Sequence, residues 1–539
     1  MKHIFFSPAL LLILLFVGSA TGQQAEFNRA SEPVENVWVF FTDKKGVRFD
    51  PLDFFHPKAI ERRLRHGQDL MDPMDFPVRE EYLQGVRQLA DSTDVVSRWF
   101  NAVSVFAHPA QLERIAALPY VARIQPMTLV ALPAGREEEI SLTANLSSEL
   151  QELREAQISH MKGQWFFEHG FDGQGIRIAI FDAGFPGVDE HPVFQHIREG
   201  GQIVATRDFV RRRQDVFGKN SHGTSVMSLI GGMDDSLRLG LATGAEYLLA
   251  RTETWTEYFS EEKYWLEAME WADRMGADII NSSLGYTYHR YFPEEMDGQH
   301  SLVAHAAQKA FQKGILVVNA AGNEGSSKYW GVIGTPADVT EVLSVGALDF
   351  PSLIRADYSS KGPTADGRMK PNLAALGTAV VAGKNGLKKS SGTSFASPLL
   401  AGFAACLWQK YPEWTNRQVY DAMQHSATLY PYFDYSHGFG IPQANYFFAD
   451  PGNSFRPTFD FVSTPEGVKV MIHIKSLKGE EDPADRFLFY QVQDEKEKIL
   501  EYFVVKVHLI EALTLDPADF SPGQKAVVHF EGYTATWNF

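Results

Sequence analysis

The spacing of hydrophobic and polar positions changes several times along the chain, and each change marks out an element. Met1-Lys2-His3 leads into the apolar run Ala9–Val17, which gives way at once to Gly18-Ser19-Ala20-Thr21-Gly22. A basic start, a short apolar stretch and small residues predict a secretory signal peptide over residues 1–22, cut after Ala20 or Gly22; the run is short for a membrane anchor. From 23 to 127, the strand pattern Val37–Phe41 is followed by charged helical patterns around Ala59–His66. Strand-like Ala102–Ala107, helix-like Pro109–Leu118 and strand-like Tyr120–Ile124 complete what reads as a small α+β domain. Residues 128–153, poor in aromatics and carrying Gly135-Arg136-Glu137-Glu138-Glu139, read as an exposed linker. Between 154 and 450, apolar strands alternate with helical stretches, which predicts an α/β fold with a parallel sheet flanked by helices. Pro451-Gly452-Asn453-Ser454 breaks that pattern. The β-rich runs Val468–Ile474 and Tyr502–Val507 beyond it predict a small antiparallel β-sandwich over 451–539.

Composition narrows the picture modestly. A chain of 539 residues, 44% hydrophobic and 22% charged, can supply a sizeable core. Its net charge of −17 leaves no electrostatic footprint for nucleic acid and names no other partner. Past the amino terminus no stretch approaches about 20 apolar residues, so a cleaved chain is expected to be soluble, with no stable membrane insertion. The single cysteine, Cys406, excludes a disulfide within the chain and a zinc site built from several thiolates. It lies in the apolar run Leu399–Leu407 and reads as a small buried hydrophobe. Export without disulfides fits a bacterial envelope or extracellular enzyme.

Three segments between 154 and 450 carry candidate chemistry. The buried-strand pattern Ile176–Phe181 ends at Asp182-Ala183-Gly184, and the carboxyl ends of parallel strands are where ligands bind in open sheets. His222 opens a helical apolar pattern, and Gly223 beside it lets another group approach closely. Ser394 stands in Ser391-Gly392-Thr393-Ser394-Phe395-Ala396-Ser397-Pro398, at the mouth of a buried helix with Phe395, Leu399, Phe403 and Leu407 every four residues. Free backbone N–H groups and the partial positive charge there favour a developing oxyanion. Pro398 is expected in the first turn, where no intrahelical donor is lost. Singly, an Asp in a turn, a His at a helix start and a Ser N-cap are all ordinary. Together, the order Asp, His, Ser is that of subtilisin, not of chymotrypsin or the α/β-hydrolases; G-x-S-x-G and H-E-x-x-H are both absent.

On these motifs, residues from about 170 to 446 resemble the catalytic domain of the subtilases, the subtilisin-like serine proteases. Gly392–Pro398 is similar to the family's serine motif, with Phe395 where Met is usual. Asn281-Ser282-Ser283-Leu284-Gly285 resembles the substrate-binding edge strand, and Val317–Gly325 the oxyanion segment. The resemblance implies a secreted serine endopeptidase with Asp182, His222 and Ser394 as its triad and Asn323 as oxyanion donor. It implies Ser283, Leu284, Gly285 and Gly322 as substrate-binding positions. Polypeptides are the implied substrates, and no cofactor is needed for the chemistry; structural calcium stays open, since the aspartates form no recognisable loop motif. Departures from the family pattern are Ala183 for Ser or Thr, Ser225 for His, and Leu376 for Pro. Glu324 stands near the rim of the implied first pocket, where a solvated glutamate is the plainer reading than a selector of basic side chains. The region before the linker resembles a subtilase propeptide, which implies an intramolecular inhibitor and a self-cut zymogen, cleaved between Met127 and Arg154. A catalytically silent binding protein of the same fold, and a maturation protease dedicated to one cellular partner, are the alternative readings.

Overall fold

A computed structural model of the chain describes residues 33–127, 140–141, 147–218, 220–235, 237–254, 260–287, 290–449, 456–473, 486–507 and 511–539. The expected signal peptide and part of the expected linker lie outside these residues.

The N-terminal region holds strands β1 (Glu35–Phe41), β2 (Ser92–Ser97), β3 (Ala102–Ala107) and β4 (Val121–Pro126) in an antiparallel sheet of order β2-β3-β1-β4. Helices α1 (Pro57–Arg65), α2 (Glu80–Arg87) and α3 (Pro109–Ala116) accompany it, and α4 (Ser148–Ser159) leads on to the central region. Alternate residues of a strand point to opposite faces. Val37, Val39, Val103 and Val105 therefore face Leu83, Val86 and Ile115 of α2 and α3. Trp38, Phe40 and Val95 face the other way, into a cluster with Trp265, Met269 and Ala306 of the next region. Both faces are covered, which is why β1 reads as an unbroken apolar run. Strand β2 and helix α2 were not legible as elements.

The central sheet has seven parallel strands: β5 (Arg177–Asp182), β6 (Ile203–Asp208), β7 (Glu246–Arg251), β8 (Ile279–Ser282), β9 (Leu316–Ala320), β10 (Leu343–Leu348) and β11 (Leu373–Leu376). Their order is β11-β10-β9-β8-β5-β7-β6. Ile178 and Ile180 pack against α5 (His222–Gly231) and α8 (Thr393–Lys410). Ala179 and Phe181 pack against α6 (Ser260–Arg274) and α7 (Leu302–Gln312). Cys406 is fully buried within α8, as expected. A hairpin of β12 (Thr378–Ala382) and β13 (Leu387–Ser391), which the sequence pattern did not reveal, leads from β11 into α8.

The C-terminal region forms two antiparallel sheets. One holds β14 (Phe459–Thr464), β15 (Gly467–Ile472) and β18 (Glu511–Leu515); the other holds β16 (Phe487–Gln493), β17 (Ile499–Lys506), β19 (Lys525–Phe530) and β20 (Tyr533–Asn538). Phe459, Val470, Ile472, Leu488, Val528 and Phe530 form their shared core. Tyr432 meets Phe489, with ring centroids 6.2 Å apart, where this sandwich abuts the α/β region.

Candidate active site

Three elements converge at the carboxyl end of β5. Asp182 is its last residue and is completely buried. His222 opens α5, and its Nδ1 lies 2.9 Å from Asp182 Oδ1 and 3.0 Å from Oδ2. An ionised carboxylate only accepts, so Nδ1 is the protonated nitrogen and Nε2 is left as the basic one. Gly223 makes the approach possible. A Cβ there would lie 2.5 Å from Gly184 O and 2.9 Å from Asp182 Cβ. Asp182 also accepts from Ala183 N at 2.8 Å, a bond that needs no side-chain hydroxyl at 183.

Ser394 is the second residue of α8, and the next residue, Phe395, places its ring 5.6 Å from that of His222. The Ser394 hydroxyl donates to Ser283 O at 3.2 Å, while Ser283 Oγ donates to Ser394 O at 3.0 Å. That second bond corrects the sequence reading of Pro398. Pro398 is the sixth residue of α8, beyond the first turn. It therefore removes the N–H that would have bonded the carbonyl of Ser394 four residues earlier. Ser283 supplies the missing donor, so the proline ties the helix start to the edge segment after β8. Ser397 Oγ, donating to Asn281 Oδ1 at 2.9 Å, adds a second tie.

Asn323 follows β9 on an exposed turn. Its Oδ1 accepts from Thr393 N at 2.9 Å and Thr393 Oγ1 at 3.0 Å. With the carbonyl side engaged, Nδ2 is the atom of this amide left for a ligand. Among the described residues, Ser394 N–H has no acceptor, as expected for a first-turn amide. Thr393, which sets the Asn323 orientation, was not singled out in the sequence; its place directly before Ser394 was the available signal.

The expected substrate-binding positions divide. Leu284 O already accepts from Asn319 Nδ2 at 2.8 Å. Gly322 is also engaged: its N–H donates to Thr393 Oγ1 at 3.2 Å, and its carbonyl accepts from Ser360 N at 2.9 Å. Gly285 is half-buried, and among the described residues its backbone groups have no partner. Gly285 thus has both backbone groups open, whereas the carbonyl of Leu284 and both backbone groups of Gly322 are already engaged.

The other departures are accommodated locally. Ser225 Oγ donates to Ala382 O at 2.8 Å, fastening α5 to β12. Leu376 N, which a proline would lack, donates to His160 Nε2 at 3.4 Å. Burial pushes the His160 imidazole down to about 4, keeping that acceptor neutral. Glu324 donates its backbone N–H to Ser360 Oγ at 3.1 Å. Among the described residues, no three His, Cys, Asp or Glu side chains gather as a metal site would require, and no helix is long and apolar enough to cross a membrane.

Comparison with known proteins places these features in a lineage. Residues 173–441 match the subtilase family, and residues 36–141 match the Peptidase S8 propeptide domain of Bacteroidota. Over 273 residues, 50% of this chain, the sequence is 33% identical to Subtilisin E of Bacillus subtilis (strain 168); the match spans 65% of that relative, just under two thirds of its length. Against Subtilisin of Bacillus pumilus it is 32% identical over 273 residues, covering 50% of this chain and 90% of that one. The crystal structure of MycP1 from the ESX-1 type VII secretion system aligns with a TM-score of 0.43 at 20% identity, covering 53% of this chain and 83% of that one.

Proposed function

Because the chain belongs to the subtilase family, we propose that it is a serine endopeptidase made as a zymogen, with Asp182, His222 and Ser394 as its triad. The observation that carries this reading is the buried carboxylate within 3.0 Å of His222 Nδ1, beside a helix start that presents Ser394. Ser394 Oγ attacks the peptide carbonyl carbon as His222 Nε2 takes its proton; Asp182 holds the tautomer and stabilises the imidazolium. Asn323 Nδ2 and Ser394 N–H receive the oxyanion. His222 then protonates the leaving amine, and a water molecule, deprotonated by the same imidazole, releases the acyl group from Ser394. Substrate lies extended along Gly285, adding to the segment after β8 by backbone hydrogen bonds.

In this reading, residues 1–22 direct export to the envelope or the outside of a bacterial cell. Residues 23–127 are the propeptide that inhibits the site, 128–153 is the linker, and 451–539 is an appended β domain. The chain cuts itself between Met127 and Arg154. The test is the mass of the purified protein. Wild type should be trimmed within that interval while Ser394→Ala stays whole; a pure Ser394→Ala chain trimmed at the same rate contradicts self-processing.

A further inference from the structure

Beside Asp182, at the same end of the sheet, lies a buried charged pair that the proposed chemistry does not use. In the ladder β5-β7-β6, Asp182 stands in register with Arg251, and Arg251 with Asp208. Each is the last residue of its strand. Residues in register on neighbouring strands project from the same face, with the strands about 4.8 Å apart. The three therefore form a row, acid then base then acid, across three carboxyl ends. They are 0%, 4% and 1% exposed, so solvent screens their charges little.

The Arg251 side chain turns away from the carboxylate it stands beside. Its Nη1 lies 3.1 Å from Asp208 Oδ1 and 2.9 Å from Oδ2, and its Nε donates to Ala183 O at 2.9 Å. Asp208 is fixed in turn. Its Oδ1 accepts from Arg211 N at 2.8 Å, and Arg213 Nε lies 3.6 Å from its Oδ2. The backbone after Asp182 is held at both of its first two carbonyls. Thr252 N donates to Asp182 O at 3.0 Å, while the N–H of that same peptide, on Ala183, donates to Asp182 Oδ1 at 2.8 Å. Arg251 Nε holds the next carbonyl, just before Gly184, where the chain leaves β5 with φ +150°.

Charge follows the same logic. A guanidinium beside a carboxylate competes with an imidazole for it, because charged donors make the stronger bonds. Asp208 takes up Arg251, so the Asp182 carboxylate is left to His222 Nδ1. We propose that Arg251 and Asp208 are positioning residues for the reaction. Arg251 fixes the chain just after Asp182, and Asp208 offsets the Arg251 charge so that Asp182 serves His222 alone. The proposal rests on the reading of Asp182, His222 and Ser394 as the triad. The other charged groups facing the row are Glu253, which borders a small cavity with Arg251, Ala183 and Asn220, and Arg213, which is shared with Asp215. Arg211 follows Asp208 in the same turn. Helix α5 and the start of α8, Thr393–Pro398, bring no charged side chain besides His222.

The test follows the rate at which a fluorophosphonate labels Ser394 in processed protein as pH is raised. Labelling needs a neutral His222, so the rate climbs as the imidazolium loses its proton and then reaches a plateau. Asp208→Asn leaves a bare guanidinium near the ring and should move the climb to lower pH by about one unit. Arg251→Gln leaves a second carboxylate there and should move it to higher pH by about as much. The two substitutions together should return the climb to within about 0.3 of the wild-type pH, since neither charge remains. The plateau of that double variant should stay ~10-fold low, because Ala183 O has lost its donor. Arg251→Lys keeps the charge and should leave the climb in place while lowering the plateau by ~3–10-fold. A role in folding alone would reduce the fraction labelled without moving the climb. Single variants that climb at the wild-type pH, or that both move in the same direction, overturn the proposal. If one single variant fails to fold, the other and the double variant decide. If none of these folds, Arg251→Lys decides, and a plateau equal to that of wild type overturns the proposal. A processed wild-type chain that takes no label would instead count against the triad reading itself.

Discussion

At the carboxyl end of β5, Asp182 meets one imidazole and one backbone N–H, and the surrounding groups include Ser394 N–H and Asn323 Nδ2, which have no acceptors among the described residues. Below the amino end of neighbouring β8, Asp273 is saturated by three guanidinium groups. Both carboxylates are fully buried, yet their donors differ in number and freedom. A carboxylate with a single imidazole can stabilise a charge that comes and goes on that ring. One enclosed by arginines is fixed as an anion, held well below the usual carboxylate range by Arg63, Arg62 and Arg98 against the opposing cost of burial. In the proposed reading the first arrangement serves chemistry, while the second ties the N-terminal region to the α/β region.

The comparison breaks most visibly at its catalytic end. Asp182→Asn should lower kcat by about 10⁴, a size borrowed from removal of the aspartate in subtilisin itself, with unchanged far-UV circular dichroism. At the other end, Asp273→Asn should cost about 3–5 kcal/mol of stability by leaving buried arginines without their partner. Chemical denaturation reads that loss, while kcat of molecules already processed should stay within about twofold. Equal effects of the two substitutions on kcat would erase the distinction drawn here.

Asn323→Leu sharpens the catalytic end further. It should lower kcat about 10²–10³-fold with little change in KM, the range known for this kind of donor in subtilisin. The smallest effect concerns pH at the base. Burial, with Arg65 and Arg62 adding to it, pushes His66 down to about 4, against about 6.5 in an unfolded chain. Between those values the unfolded chain binds the extra proton. The stabilisation is therefore complete above about pH 6.5 and is lost as pH falls towards 4. His66 is only half-buried, so the loss should stay under about 1 kcal/mol. Melting of Ser394→Ala at pH 7 and pH 5, with and without His66→Gln, should show a smaller acid-induced fall in the variant.

Legibility in the sequence followed the range of the interactions. The motifs around Asp182, His222 and Ser394 were readable because each is a local signal: a strand end, a glycine that permits close approach, a helix mouth. The sheet was readable because strands covered on both faces are apolar throughout. The base was not. Arg62 and Arg63 sit in a helix of strongly charged composition, and nothing near them indicates that Asp273, some 210 residues away, buries them. The role of Pro398 was misread for a related reason. Its consequence depends on Ser283, which lies 111 residues before Ser394. Hairpin β12–β13 escaped notice because Leu387–Ser391, with its paired lysines, lacks an apolar run.

The central claim is that Ser394 is an activated nucleophile served by His222. Its most direct test is the intact mass and peptide map of the processed protein after exposure to a fluorophosphonate. The account predicts a single adduct, on the peptide carrying Ser394, formed in wild type and absent from Ser394→Ala and strongly slowed in His222→Ala. A processed wild-type chain that takes up no adduct, or takes it up at another residue, would contradict it.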